Sequence, residues 1–266
     1  MMAMNDLPNE TAYAPHVMQE VNGVVAVWKP AGLATQAPPG IPSVESWLRR
    51  RLHGESLRGY VGVPHRIDRG VSGVVLFAAT PRAARKLSRQ FERREVRKTY
   101  LAIVDCTDAS HDTVERMQAE LVTWRDTIEK IPEEARARIV PADETGGREA
   151  VTQARLLCRL PPDSLLLELA PVTGRMHQLR LQAAARGLRI VGDDLYGVAD
   201  AAWTQPRGSE PAGVEDPRKR PIGLHACRIV YADPDTGSEV TVEAALPGYW
   251  PESTRAATGF SASRRG

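Results

Sequence analysis

Residues 65–81 read HRIDRGVSGVVLFAATP, and the change of character inside that stretch decides how the rest of the chain is read. Its second half, Gly73 to Ala78, is a β-branched apolar run that predicts a central strand. Thr80 and Pro81 follow as an N-cap and a proline at the first helical position. The helix they open should carry Ala84, Leu87 and Phe91 inward and most of its arginines outward. The first half is different in kind. Two glycines and a serine around an acid suggest a tight loop that presents Asp68 at a sheet edge. On local grounds Asp68 serves equally well as a catalyst or as a cap for nearby backbone amides.

Working outward, Gly23 to Trp28 reads as a short buried strand, and Ser43 to Leu52 as a helix capped by Ser43, with Val44, Trp47, Leu48 and Leu52 on one face. Strands are expected at Thr99–Val104, Val151–Cys158, Ser164–Ala170, Leu224–Tyr231 and Glu239–Ala244. A helix from about Met176 to Arg186 should end at Gly187 in a left-handed cap. Between Cys106 and Ala150 the chain is polar, with Val114, Met117 and Leu121 offering one helical face. Val198 to Pro221 reads as a surface loop. Strands outnumber helices without alternating regularly with them, so the fold class is α+β: one domain built on a mostly antiparallel or mixed central sheet. The expected organisation is a flexible segment over 1–21, one folded domain over 22–250 and a flexible tail over 251–266.

Composition is that of a globular protein, 42% hydrophobic and 26% charged. No apolar run approaches the roughly 18 residues of a membrane helix, and the N-terminus does not resemble a secretory signal. Three scattered cysteines, Cys106, Cys158 and Cys227, fit a reduced, cytoplasmic protein. Net charge is only +2, but eight basic residues lie between Arg82 and Lys98 against two acidic ones. Arg49, Arg50, Arg51 and Arg58 form a second cluster. Such clusters can neutralise phosphates, or they can simply be a solvated face.

Two further stretches carry ionisable groups that a core does not require. In Thr173-Gly174-Arg175-Met176-His177-Gln178-Leu179-Arg180, His177 and Arg180 are three apart and would share a helical face. An arginine there could hold a carboxylate from another element ionised and in place. In Lys98-Thr99-Tyr100-Leu101-Ala102, Tyr100 interrupts an apolar strand, as a core tyrosine or as a ring that stacks on a base and exchanges protons.

In order and spacing these stretches resemble the RluA-type pseudouridine synthase family. HRIDRGVSG is similar to that family's HRLDxxTSG loop, and RKTYLAIV to its (R/K)xYxAxV strand. TGRMHQLRLQAAARGLRIVGDDLYG resembles TGRxHQIRxHxxxxGxPIxGDxxYG, and the segments VVAVWKPAGLATQ and LHACRIVYADPDTGSEVTVEAALP resemble its opening and closing motifs. The match spans roughly residues 22–247. The resemblance implies isomerisation of uridine to pseudouridine in structured RNA, ribosomal or transfer, by base flipping and without cofactor or metal. It implies a catalytic trio of Asp68, Tyr100 and Arg180. Arg66 would take the place of the extruded uridine, Leu179 would pack beneath its ring, and His65, Arg175 and His177 would line the substrate site. Partners would be RNA and no membrane, with a monomer as the working unit.

The sequence departs from the family pattern at Val71, where threonine is usual, at Gln182 and Asp233, where histidines are frequent, and across 106–150. An aspartate is ordinarily ionised at neutral pH, so alignment is what it would need from the protein. Two other readings compete: a catalytically silent RNA binder on the same fold, and a metal-dependent hydrolase using His65, Asp68, His177 and His225, whose spacing lacks any tight ligand motif.

Overall fold

The computed structural model describes residues 14–54, 59–197 and 220–258. Eleven strands form one sheet, with β1 (His16–Val21), β2 (Val24–Lys29) and β3 (Ser72–Ala78) at one side. The order continues through β10 (Leu224–Ala232), β4 (Arg97–Asp105), β8 (Ser164–Pro171) and β7 (Arg148–Leu160) to β5 (Val122–Lys130) and β6 (Ala137–Val140). β11 (Glu239–Glu243) pairs with β10, and β9 (Arg189–Ile190) with β4. Every pairing is antiparallel except β3 with β10, which meet in parallel at Ser72–His225 and Gly73–Ala226. This is the α+β, mixed-sheet class that the strand count predicts.

The apolar runs of β2 and β3 are continuous because both faces are covered. Period-two alternation sends Val25, Val27, Val75 and Phe77 toward α1 (Val44–His53), where Val44 and Leu48 meet them. It sends Val24, Ala26, Val74 and Leu76 toward α2 (Pro81–Glu92), against Ala83 and Leu87. Farther along the sheet, α3 (His111–Ala119) and α4 (Gln178–Ala184) cover the same face as α1. Leu246 and Trp250, just before α5 (Glu252–Thr258), cover the other face over Leu101, Ile103 and Leu166. Each fully buried Val, Leu or Phe here contributes about 1.5–3 kcal/mol.

Several boundaries fall as the sequence predicts. Ser43 caps α1 with a reciprocal bond to Ser46, Thr80 caps α2 with Pro81 behind it, and Gly187 adopts φ 69° after α4. Others do not. Residues 16–21, expected to be flexible, pair with β2 as β1, because the partly buried Val17 and Met18 pack on the cores below. Residues 252–258 of the expected tail form α5. Leu121 is 55% exposed and lies beyond α3, leaving Val114 and Met117 as its inward face. The polar 106–150 segment holds β5 and β6, whose alternation is broken by half-exposed charges. Arg58 and nearly all of the expected 198–221 loop lie outside the described residues.

Candidate active site

Asp68 sits in the loop between Gly62, which bridges to Ala78, and the start of β3. The loop is pinned from several sides. Thr35 Oγ1 donates to the Ile67 carbonyl at 2.9 Å, and the His65 ring accepts from the Leu76 amide at 2.9 Å. Gly73 (φ 119°) follows, where a Cβ would stand 2.2 Å from the Ala226 carbonyl oxygen. Only glycine lets β10 pass that close. The fully buried Lys29 donates from Nζ to the carbonyls of Pro30, Leu33 and Arg69, tying the Lys-Pro segment to the Asp68 loop. Burial pulls the Lys29 pKa down to about 7, with the Asp68 charge opposing and Arg69 assisting.

Opposite, α4 brings Arg180. Its guanidinium grips Asp193 through two bonds, Nε to Oδ2 at 2.7 Å and Nη2 to Oδ1 at 2.6 Å. The remaining fork reaches Asp68 Oδ2 from Nη1 at 3.2 Å. Arg180 and Asp193 side chains are 9% and 0% exposed, whereas Asp68 is 33% exposed. Burial alone would lower the arginine pKa, but bonds and charge from Asp193, then Asp68, outweigh it and raise it. Arg180 is therefore a permanent cation fixed on one carboxylate and directing another. Asp193 also accepts the amides of Leu195 and Tyr196, so the turn after β9 is built around it.

The entry to α4 is organised by Gln178. Its side-chain oxygen accepts from Thr173 Oγ1 at 2.7 Å and from the Arg175 amide at 3.0 Å. Its nitrogen donates to the Val151 carbonyl and to Thr152 Oγ1. His177 then adopts a left-handed φ of 53° as the residue before the helix, rather than lying on the helical face expected for it. One ring nitrogen meets the Tyr196 hydroxyl at 3.0 Å and the other stands 3.8 Å from Asp68 Oδ2. Burial pushes the His177 pKa down. Gln182, one of the departures from the family pattern, is fully buried and fastens α4 to Thr152, Asp126 and the Ala150 carbonyl.

These groups surround a cavity of about 530 Å³ lined by Asp68, Tyr100, Arg180, Leu179, His177 and Arg66, with Arg175 and Lys98 beside them. Tyr100 is buried, and burial followed by the nearby Asp68 charge holds its phenol well above the ordinary range. Leu179 is buried in the core beneath the cavity. Arg66 is exposed at its mouth. Seven of the eight site residues anticipated from the sequence thus share one cavity. His65 lines the adjoining part of the cleft instead, stacked on Phe91 at 4.5 Å and held neutral, its pKa near 3 because of burial and the Lys98 charge.

The metal-hydrolase quartet does not assemble. His225 is fully buried, with Nδ1 on Ser72 Oγ at 2.8 Å and Nε2 on the Ala244 carbonyl at 3.2 Å. Burial drops its pKa to about 4. Sequence reasoning passed over Asp193, Tyr196 and Lys29, although all three stand inside the quoted motif blocks.

Chemically, the arrangement is a directed carboxylate beside a phenol, at the base of a cavity with a cationic rim. The sequence pattern of the RNA pseudouridylate synthases matches residues 23–185. A ribosomal large subunit pseudouridine synthase C of Rickettsia bellii is 33% identical over 240 residues, which cover 88% of this chain and 69% of the relative. A dual-specificity RNA pseudouridine synthase RluA of Haemophilus influenzae is 32% identical over 228 residues, 86% of this chain and 91% of that one. The solved human RNA pseudouridylate synthase domain containing 4 superposes with a TM-score of 0.63 at 23% identity, over 88% and 89% of the two chains. The chain belongs to the RNA pseudouridylate synthase family and is an isomerase of uridine in RNA. No helix among the described residues is long and apolar enough to cross a membrane.

Proposed function

We propose that Asp68 is the carboxylate through which this enzyme detaches and re-attaches uracil, with Arg180 as its aligning partner and Tyr100 beside the base. The observation that supports this most is the asymmetric grip of Arg180: two short bonds to buried Asp193 and one longer bond to half-exposed Asp68. That leaves Asp68 with lone pairs facing the cavity. Isomerisation breaks N1–C1′, forms C5–C1′, releases the C5 proton and places a proton on N1. Attack of Asp68 at C1′, its addition at C6, or removal of the 2′ proton would each start from this geometry. Tyr100, held as a phenol, can serve at C5 only as a relay that gives up its own proton as it takes one.

A stacked base cannot turn over, so the uridine must leave its helix at a cost of a few kcal/mol. Exposed Arg66 would fill the space left behind, and Leu179 would support the uracil ring. His177 and Arg175 would contact the substrate, and His65 would act by holding the Asp68 loop. The substrate is structured ribosomal or transfer RNA, met by a single chain in the cytoplasm, and the reaction as drawn calls on no metal or cofactor. The names of relatives make ribosomal large subunit RNA the first to examine. Carbodiimide-dependent primer-extension stops should disappear at one or more uridines when the gene is deleted. They should return with the wild-type gene and not with Asp68→Asn. Restoration by Asp68→Asn would refute the assignment of Asp68.

A further inference from the structure

The cleft continues past the catalytic cavity. A second cavity of about 590 Å³ adjoins it, and Arg66, Lys98 and Arg175 line both. Each volume lies in the range of small-molecule sites. Beside the neutral polar Gln36, His65, Tyr100 and Thr173, the second has apolar and charged walls. Phe91, Val63, Val96 and Val172 supply apolar surface, and Val172 is 43% exposed, one of the few large hydrophobic side chains so placed. Arg66, Arg94, Lys98 and Arg175 supply positive charge, against Glu92 alone.

Among the described residues, Arg66, Arg94 and Lys98 make no ion pair or hydrogen bond with a carboxylate, and Arg175 Nε donates to a neutral acceptor, the Glu149 carbonyl at 2.9 Å. They act on one another and on their neighbours by repulsion. Burial and then Arg148 and Arg94 lower the Arg175 pKa with the Glu149 charge opposing, burial lowers that of Lys98, and burial followed by Lys98 lowers that of His65. Like charges gathered around a concave surface favour an anion between them.

Arg94 adds a backbone argument. It follows the α2 C-cap Arg93 with φ 60°, its amide bonded to the Phe91 carbonyl and that of Glu95 to the Gln90 carbonyl. This is the C′ position of a Schellman motif, where glycine or asparagine suits the left-handed backbone best. The backbone gives no reason for an arginine there.

We propose that the second cavity is a subsite for the nucleotide adjoining the target uridine, its phosphate held by Arg94, Lys98 and Arg175 and its base laid against Val172 and Phe91. Contiguity with the catalytic cavity favours an RNA strand over a free anion or an acidic peptide, since one phosphodiester link lets neighbouring nucleotides fill both. The proposal rests on reading the first cavity as the uridine pocket.

The test uses the full chain with uridine 5′-monophosphate, the dinucleotide pUpU and hexauridylate, titrated by calorimetry at two salt concentrations. Affinity should rise about tenfold from mono- to dinucleotide. Arg94→Gly, which suits the backbone, should remove about fivefold of dinucleotide affinity, spare the mononucleotide, and reduce the salt slope by about 0.7. Val172→Asp should abolish the dinucleotide gain. Equal binding of mono- and dinucleotide, or variants that weaken both alike or neither, would overturn the subsite. Failure of the catalytic reading would show separately, as RNA modification surviving in Asp68→Asn.

Discussion

Arg180 and Lys98 reach into the same cleft from opposite surroundings. Arg180 lies between two carboxylates and is fixed by three bonds to them. Lys98 stands two residues before Tyr100 on the same strand face with no carboxylate partner among the described residues; Arg66 and Arg94 share that condition, and Arg175 feels Glu149 only as a nearby charge. The first arrangement is complete without substrate and sets a direction for Asp68. The second lacks such pairing, as the proposed phosphate site requires. One end of the cleft is thus built for alignment and the other for attraction, and variants at the two ends should fail in different ways.

The largest effect is expected at the aligned end. Asp68→Asn should lower the rate of pseudouridine formation by at least about a thousandfold, with RNA binding within about twofold of wild type in a filter assay. A collapse in binding would show that Asp68 holds the RNA rather than acting on it, and would break the contrast. Next comes Asp193→Ala, which leaves Arg180 buried with a single partner. Stability should fall by about 3–5 kcal/mol in denaturant titrations, and kcat of the folded fraction by roughly a hundredfold as Asp68 loses its aim. An unchanged kcat would reduce Asp193 to a structural role.

A smaller effect concerns protons. His65 and His225 titrate near 3 and 4 when folded, against about 6.5 unfolded. The unfolded state therefore binds more protons below pH 6.5. Their contribution is complete above that value and is lost as pH falls toward 4, by up to about 1.4 kcal/mol per pH unit for each ring. Tm measured from pH 7 to 4 should drop accordingly. His65→Gln, which can still accept from the Leu76 amide without titrating, should flatten the slope. The smallest effect is at the surface, where Arg97 and Glu239 pair at 2.7 Å with both side chains at least 60% exposed. Arg97→Ala should cost less than about 1 kcal/mol by thermal denaturation, showing that matched charge matters here only when buried.

How much of this the sequence disclosed depended on whether the signal was local. The β2 and β3 runs and the caps at Ser43 and Thr80 are local facts of residue type, and the structure repeats them. β1, β5 and β6 were missed because their half-exposed alternation is diluted by charge, so that only pairing with a neighbour makes them strands. Arg180 was found through its motif, but its stronger partner was not. Asp193 lies thirteen residues further on, and nothing in GDDLYG says that its carboxylate turns inward. Lys29 was hidden for a similar reason: three backbone carbonyls hold it, and carbonyls leave no mark in a sequence.

The Asp193 carboxylate accepts four hydrogen bonds, two from Arg180 and two from the amides of its own turn. The turn from Asp193 to Gly197 is therefore clamped to Arg180. In evolutionary terms this is insulation. Side-chain changes at Asp194 and Leu195, which reach Asp193 only through the Leu195 backbone amide, leave the clamp on Arg180 closed.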